Sequence, residues 1–248
     1  MISHSSFNMD GGGMMLIFIL IAALVIAASI FSWIQARKRR EALAGWALLK
    51  GLAFLEGRDD SYEDQFPDFK ALKAGEGDRY AYNIISGDYR GRPLRAFDYH
   101  YITTSTDDKG HRTTNHHQFS AVIVNSLIPL KPLHIRPEGF FDHIAAAFGF
   151  EDINFESAAF SRQYKVTAPD RKWAYDVLHP RAIEFLLAVP PFSLQFDTGA
   201  VMFWNNKTWS VAEVEAAADT VNGLLDLLPD YLKEQQVGIP PPLPGGLS

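Results

Sequence analysis

The chain has 248 residues, 23 Lys/Arg against 29 Asp/Glu for a net charge of −6, 47% apolar and 13% aromatic residues, and no cysteine. That profile belongs to a folded protein rather than a disordered one. The lack of cysteine excludes disulfides, thiolate nucleophiles and Cys-ligated zinc, and the acidic balance argues against nucleic acid, which rewards phosphate neutralisation.

Residues 1–13 read as a polar tail ending in three glycines. Residues 14–34, MMLIFILIAALVIAASIFSWI, contain no charge and no proline. At about 1.5 Å rise per residue they reach across a hydrocarbon core of roughly 30 Å, and a helix pairs its own backbone, as lipid requires. The stretch predicts a transmembrane helix, with the bilayer as its partner. No Lys or Arg precedes it, unlike a secretory signal peptide, whereas Arg37, Lys38, Arg39 and Arg40 follow it. This bias predicts a single pass through the inner (cell) membrane, with the N-terminus outside and the C-terminal domain cytoplasmic. Residues 1–40 hold four basic groups and one acidic group, leaving 19 basic and 28 acidic groups, a net −9, in residues 41–248. Only the short basic collar is attracted to anionic head groups.

Residues 35–57 form the collar and a juxtamembrane helix, with Leu43, Trp46 and Phe54 at helical spacings; Gly51 weakens the pattern and the 57–60 region ends it. Residues 58–235 are expected to be the soluble domain. Its first part, 58–78, is an acidic connection with a short helix near 69–73. Strands are expected at 79–86, 94–104 and 118–124, with 104–115 (TSTDDKGHRTTN) as a long polar hairpin tip. A fourth strand is placed at 130–135 and a helix at 139–148. The aromatic run Phe155, Phe160, Tyr164 leads into a strand at 164–167, and prolines 169 and 180 open two helices. A hairpin is expected over 192–196 and 200–204. Ser210 and Glu213 form a capping box opening a helix over 211–228, and residues 236–248 are a Pro/Gly-rich disordered tail. The fold class is therefore α+β: one transmembrane helix, then an antiparallel sheet or partial barrel closed by a C-terminal helix, as in a pleckstrin-homology-like barrel.

No phosphate-binding loop, dinucleotide fingerprint, zinc-protease motif or nucleophile elbow is present. The chemistry-bearing cluster is on the 94–124 hairpin. His100 faces His116 or His117 across the ladder, and Asp98 lies two residues from His100 on the same face. His100, Asp98 and His117 are the candidate metal ligands, since imidazoles and a carboxylate suit zinc, nickel or copper. The adjacent His116 and His117 must, however, point to opposite faces. Asp107 and Asp108 read as turn formers beside Gly110 rather than catalytic carboxylates. No cofactor is expected, and an enzyme is the less favoured class.

The order of marks, rather than one motif, carries a family likeness. It runs through Gly87 and Gly91, Phe97-Asp98-Tyr99 and Tyr101, the strand at 119–124, Pro137-Glu138, then Phe155-Glu156, Phe160, Tyr164-Lys165-Val166, Ala174 and Leu178-His179-Pro180. Over residues 79–205 the chain resembles a group of uncharacterised, membrane-anchored bacterial proteins of the domain-of-unknown-function type, which share an F-E-x-x-x-F-x-x-x-Y-x-V segment. The resemblance implies a bacterial source and an inner-membrane anchor, and transfers no catalytic residue. The reading is a membrane-tethered cytoplasmic interaction or scaffold domain with a protein partner; the alternative is a ligand-sensing or hydrolytic domain built on the His/Asp cluster.

Overall fold

The computed structural model describes residues 11–138 and 152–234. The expected helix at 139–148, the N-terminal tail to residue 10 and the C-terminal tail from 235 lie outside the described residues. Helix α1 spans Gly11–Leu49. It contains a segment long and apolar enough to cross a membrane, of mean hydropathy 2.7, with none of it buried in protein. Phe18, Leu20, Leu24 and Phe31 are each more than 60% exposed. Such exposed apolar side chains, with the Ser29 hydroxyl returned to the Val25 carbonyl of its own helix, suit a lipid environment.

The domain starts with the last turns of α1, where Leu43, Trp46 and Ala47 enter a core. Gly51, at φ 71°, ends the helix, and Ala53–Leu55 is a strand, β1. The expected helix through residue 57 is thus corrected: a left-handed glycine stops it, and β1 pairs with Ser86, Ile85 and Ile84. A short helix α2 (Tyr62–Gln65) and a 3-10 turn (Lys70–Lys73) precede the meander β2 (Gly77–Tyr89), β3 (Arg92–Thr106) and β4 (Arg112–Asn125). The hairpin tip is far shorter than expected. The β3–β4 ladder continues without a slip from Leu94↔Val124 to Thr106↔Arg112, because threonines in the polar run favour extended backbone.

Next come β5 (Leu133–Pro137), α3 (Ala158–Gln163), β6 (Tyr164–Thr167), α4 (Arg171–Val177), α5 (Pro180–Leu187), β7 (Ser193–Phe196), β8 (Ala200–Trp204) and α6 (Val211–Asp226), then a further turn of helix, α7 (Asp230–Glu234). The capping box is formed: Ser210 Oγ accepts from the Glu213 N–H, and Glu213 accepts from the Ser210 N–H. Among the described residues the strands make one eight-stranded sheet in the order β1-β2-β3-β4-β8-β7-β5-β6, every pair antiparallel. Its ends, β1 and β6, do not meet, so of the two closures expected it is the open sheet that forms.

The centre of the sheet is buried on both faces, which is why β8 (AVMFW) is apolar at every position. One face, with Leu94, Ala96, Val122 and Phe203, packs on Trp173, Leu186, Val214, Val221 and Leu225 from α4, α5 and α6. The other, with Phe97, Tyr99, Phe119 and Met202, is covered by Tyr62, Phe69 and Leu72 from α2 and the 3-10 turn.

Candidate functional site

The β3–β4 hairpin carries every candidate ligand, and the alternation of a strand decides which can meet. Asp98, His100 and His116 share one face; Tyr101 and His117 share the other. Asp98 is buried at 2% exposure. Its Oδ2 accepts from Asn83 Nδ2 at 2.8 Å and its Oδ1 from Ser120 Oγ at 2.5 Å, while Ser120 Oγ also accepts from the Trp209 N–H at 2.9 Å. Asn83 sits at φ 50° in the β2 register shift between Tyr82 and Ile85, a bulge that turns its amide inward. Asp98 is therefore the anchor of a packing network.

His100 is 3% exposed and lies on the Tyr80 ring, centroids 4.7 Å apart. Its Nδ1 is 2.9 Å from the Asp78 carbonyl oxygen and its Nε2 is 3.0 Å from His116 Nδ1. A carbonyl only accepts, so the network assigns the His100 proton to Nδ1, and His116 Nδ1–H then donates to His100 Nε2. His117 turns away, bonds Thr103 Oγ1 at 2.8 Å and stacks on Tyr101 at 4.8 Å. The structure thus joins His100 to His116, engages Asp98 elsewhere on that face, and puts His117 on the opposite face. Among the described residues, no three His, Asp or Glu side chains gather as a metal set. At the tip, Asp107 Oδ1 accepts from the N–H groups of Lys109 and His111, and Oδ2 lies 3.0 Å from His111 Nδ1. These bonds, the His111 N–H first, hold its carboxyl below the usual range; it is a turn former.

What the hairpin offers instead is an edge. β4 pairs with β8 only from Ala121 to Asn125, and the Ser120 N–H reaches the Lys207 carbonyl at 2.9 Å. Among the described residues nothing pairs with the outer side of 112–119. Since Ser120 directs its backbone outward and antiparallel strands alternate, Gln118, His116 and Thr114 present their N–H and C=O groups outward too. Residues 112–116 and 118 are exposed. A cavity of about 280 Å³, lined by Tyr101, His116, His117, Gln118, Phe119 and Asn206, opens beside this edge. The sheet's other margins are short or covered. β1 has three residues, the outer side of β2 bonds Asp59 at Ala81, and β6 takes the Ile153 N–H at Val166.

A second concavity, of about 660 Å³, lies on the helical side between α4, α5 and the start of α3, lined by Phe155, Tyr175, Leu178, Ile183 and Leu187 with Glu156 and Glu184. It gathers residues from α4, α5 and the segment leading into α3, so no local spacing announces it.

No protein-family model and no curated protein matches the chain. Among solved structures, the crystal structure of the mycobacterial trehalose monomycolate transport factor A, TtfA, superposes with a TM-score of 0.52 at 14% identity, over 78% of this chain and 97% of that one. At that identity the likeness is one of fold: an α+β domain with an open antiparallel sheet.

Proposed function

We propose that the chain is a membrane-tethered interaction module that recruits protein partners to the cytoplasmic face of a bacterial inner membrane. Residues 14–34 cross the bilayer once, the N-terminal tail lies outside, and the collar from Arg37 to Arg40 keeps the domain inside, in line with the positive-inside bias. Arg37 lies over the Trp33 ring at 5.8 Å, a pairing suited to an interfacial depth. The observation that carries the reading is the uncovered edge of β4, since an unpaired strand edge is a template for an extended segment of another chain. Tethering raises the effective concentration of such a site, so a modest affinity suffices. A neighbour in fold is named as a transport factor, and a membrane-associated scaffold is in keeping with that name.

The test is a photo-crosslinking residue at Thr114 in the full-length protein in cells, followed by mass spectrometry of the adducts. A reproducible partner protein, joined through this edge, is the expected result; adducts with no other protein would overturn the reading. For orientation, alkaline phosphatase fused after residue 234 is expected to stay inactive, and an active fusion puts the domain outside.

A further inference from the structure

We infer that the outer edge of β4 pairs with the same edge of a second copy of this chain, antiparallel about a two-fold axis within residues 114–118, so that two sheets join into one. The inference rests on the reading of the chain as an interaction module and names one occupant of its edge.

Three features of the edge favour a second copy. The first is its regularity. Natural sheets blunt long edges with proline, bulges, inward charges or extreme shortness; residues 112–119, RTTNHHQF, hold no proline, and the β3–β4 register carries no bulge. The second is charge. An isologous contact sets each residue against its own kind or a near neighbour, so a charged edge would repel itself. Residues 113–124, TTNHHQFSAVIV, contain no Lys, Arg, Asp or Glu in a chain of net charge −6. With His116 on the axis, Thr114 faces Gln118 of the second copy and His116 faces itself, so no like charges are opposed within residues 114–118. The third is hydrogen-bond polarity. Thr114, His116 and Gln118 direct both backbone groups outward, the set that two antiparallel edges exchange in closely spaced pairs. Anchoring both copies in one membrane favours their encounter further.

The chain's lack of cysteine makes the test direct. Single variants Asn115→Cys and His116→Cys of the full-length protein are oxidised in isolated membranes, with Leu127→Cys as an equally accessible control, Leu127 being 68% exposed on a loop beyond β4. A residue on the axis lies about 5.5 Å from its twin, Cα to Cα, if it is His116 and about 4.5 Å if it is Asn115, both within disulfide reach. A disulfide-linked dimer at position 115 or 116 but not at 127 is expected, and the position that reacts fixes the axis. A second variant, Thr114→Pro with Gln118→Pro, deletes only outward N–H groups, which the β3 ladder does not use. It should keep the wild-type circular dichroism and weaken dimerisation in nanodiscs roughly 100-fold, as four backbone bonds are lost per dimer.

Crosslinking at 115 and 116 no greater than at 127, or a prolyl variant that dimerises as the wild type does, overturns the inference. The two readings fail separately. Edge-joined dimers without any other partner leave the inference standing and sink the recruitment of partners; a different protein on the edge without self-crosslinking does the reverse.

Discussion

Asp98 and Ser120 hydrogen-bond across the β3–β4 ladder at 2.5 Å, and through that hydroxyl the Trp209 N–H is held at 2.9 Å. A buried carboxylate thus ties the middle of the sheet to the entry of α6, whose capping box begins one residue later at Ser210. Asp98→Ala leaves the Asn83 amide and the Ser120 hydroxyl facing a void, and is expected to destabilise the domain by about 3 kcal/mol, as the loss of one partner from a buried charged network does. Ser120→Ala should cost less, about 1–2 kcal/mol, because one hydroxyl is lost and one N–H loses its acceptor. Since the two share a bond, the double variant should cost clearly less than the sum. Urea unfolding of the full chain in detergent, followed by tryptophan fluorescence, measures all three; strict additivity would show that the bond carries no energy.

Acid should act on this fold through His134 first. Its ring is stacked on Trp204, centroids 5.9 Å apart and planes 15° from parallel. Burial, then the nearby charges of Arg136 and Lys70, push it down to about 3. The unfolded chain takes up this proton near pH 6.5, while the folded chain refuses it until about pH 3. The unfolded state therefore binds more protons in that window, and stability falls as pH is lowered from 6.5 towards 3. His134→Phe preserves a stacking ring and removes the titration. Urea midpoints measured at intervals of pH should fall more steeply for the wild type than for the variant between 6.5 and 3, and parallel profiles would refute the assignment.

Glu213 adds a second, smaller acid limb. The Lys207 ammonium, 2.6 Å away, and then the Ser210 N–H hold its carboxyl down at about 2. A depressed carboxylate stabilises the fold above its ordinary value near 4.5 and loses that contribution as pH falls to about 2. Both partners of the ion pair are well exposed, at 61% and 42%, so solvent screens most of the effect. Glu213→Gln should then cost at most about 1 kcal/mol at pH 7, the scale of one cap and one surface pair. The gap between the two thermal profiles should close near pH 2; a gap that persists there would assign the effect to packing.

The legible parts of this fold were those written in local chemistry. The uncharged run of residues 14–34 gave the apolar helix, Ser210 with Glu213 gave the start of α6, and the opposite facing of His116 and His117 followed from their adjacency. The rest depends on backbone conformation and long-range pairing. Gly51 looked like a weak point in a helix and is its end, because β1 gains a partner in β2. The run at 104–115 looked like a loop on composition, yet pairing between the two strands holds it extended out to Thr106 and Arg112. The bond from Asn83 to Asp98 is equally hidden, because Asn83 comes from another strand at a bulge no spacing reveals. The free edge was invisible for the same reason: that β8 stops pairing at Ala121 is a property of the whole sheet.

Two glycines with the same dihedral separate conformational strain from close approach. Gly51 and Gly75 both sit at φ 71°, a region that costs an L-residue about 1–2 kcal/mol. Around Gly51 a Cβ would meet nothing within 4 Å, whereas at Gly75 it would run into the carbonyl oxygen of Ile102 and the ring of Tyr101. That carbonyl is the acceptor of the Glu76 N–H, so relieving the clash breaks the bond that starts the β2–β3 pairing. Gly51→Ala should therefore cost about 1 kcal/mol, and Gly75→Ala about 3 kcal/mol or more, as overpacking is added to strain. Thermal unfolding of the two variants side by side decides the point. If they fall equally, the left-handed conformation alone sets the cost, and the tight approach of residue 75 to β3 contributes nothing.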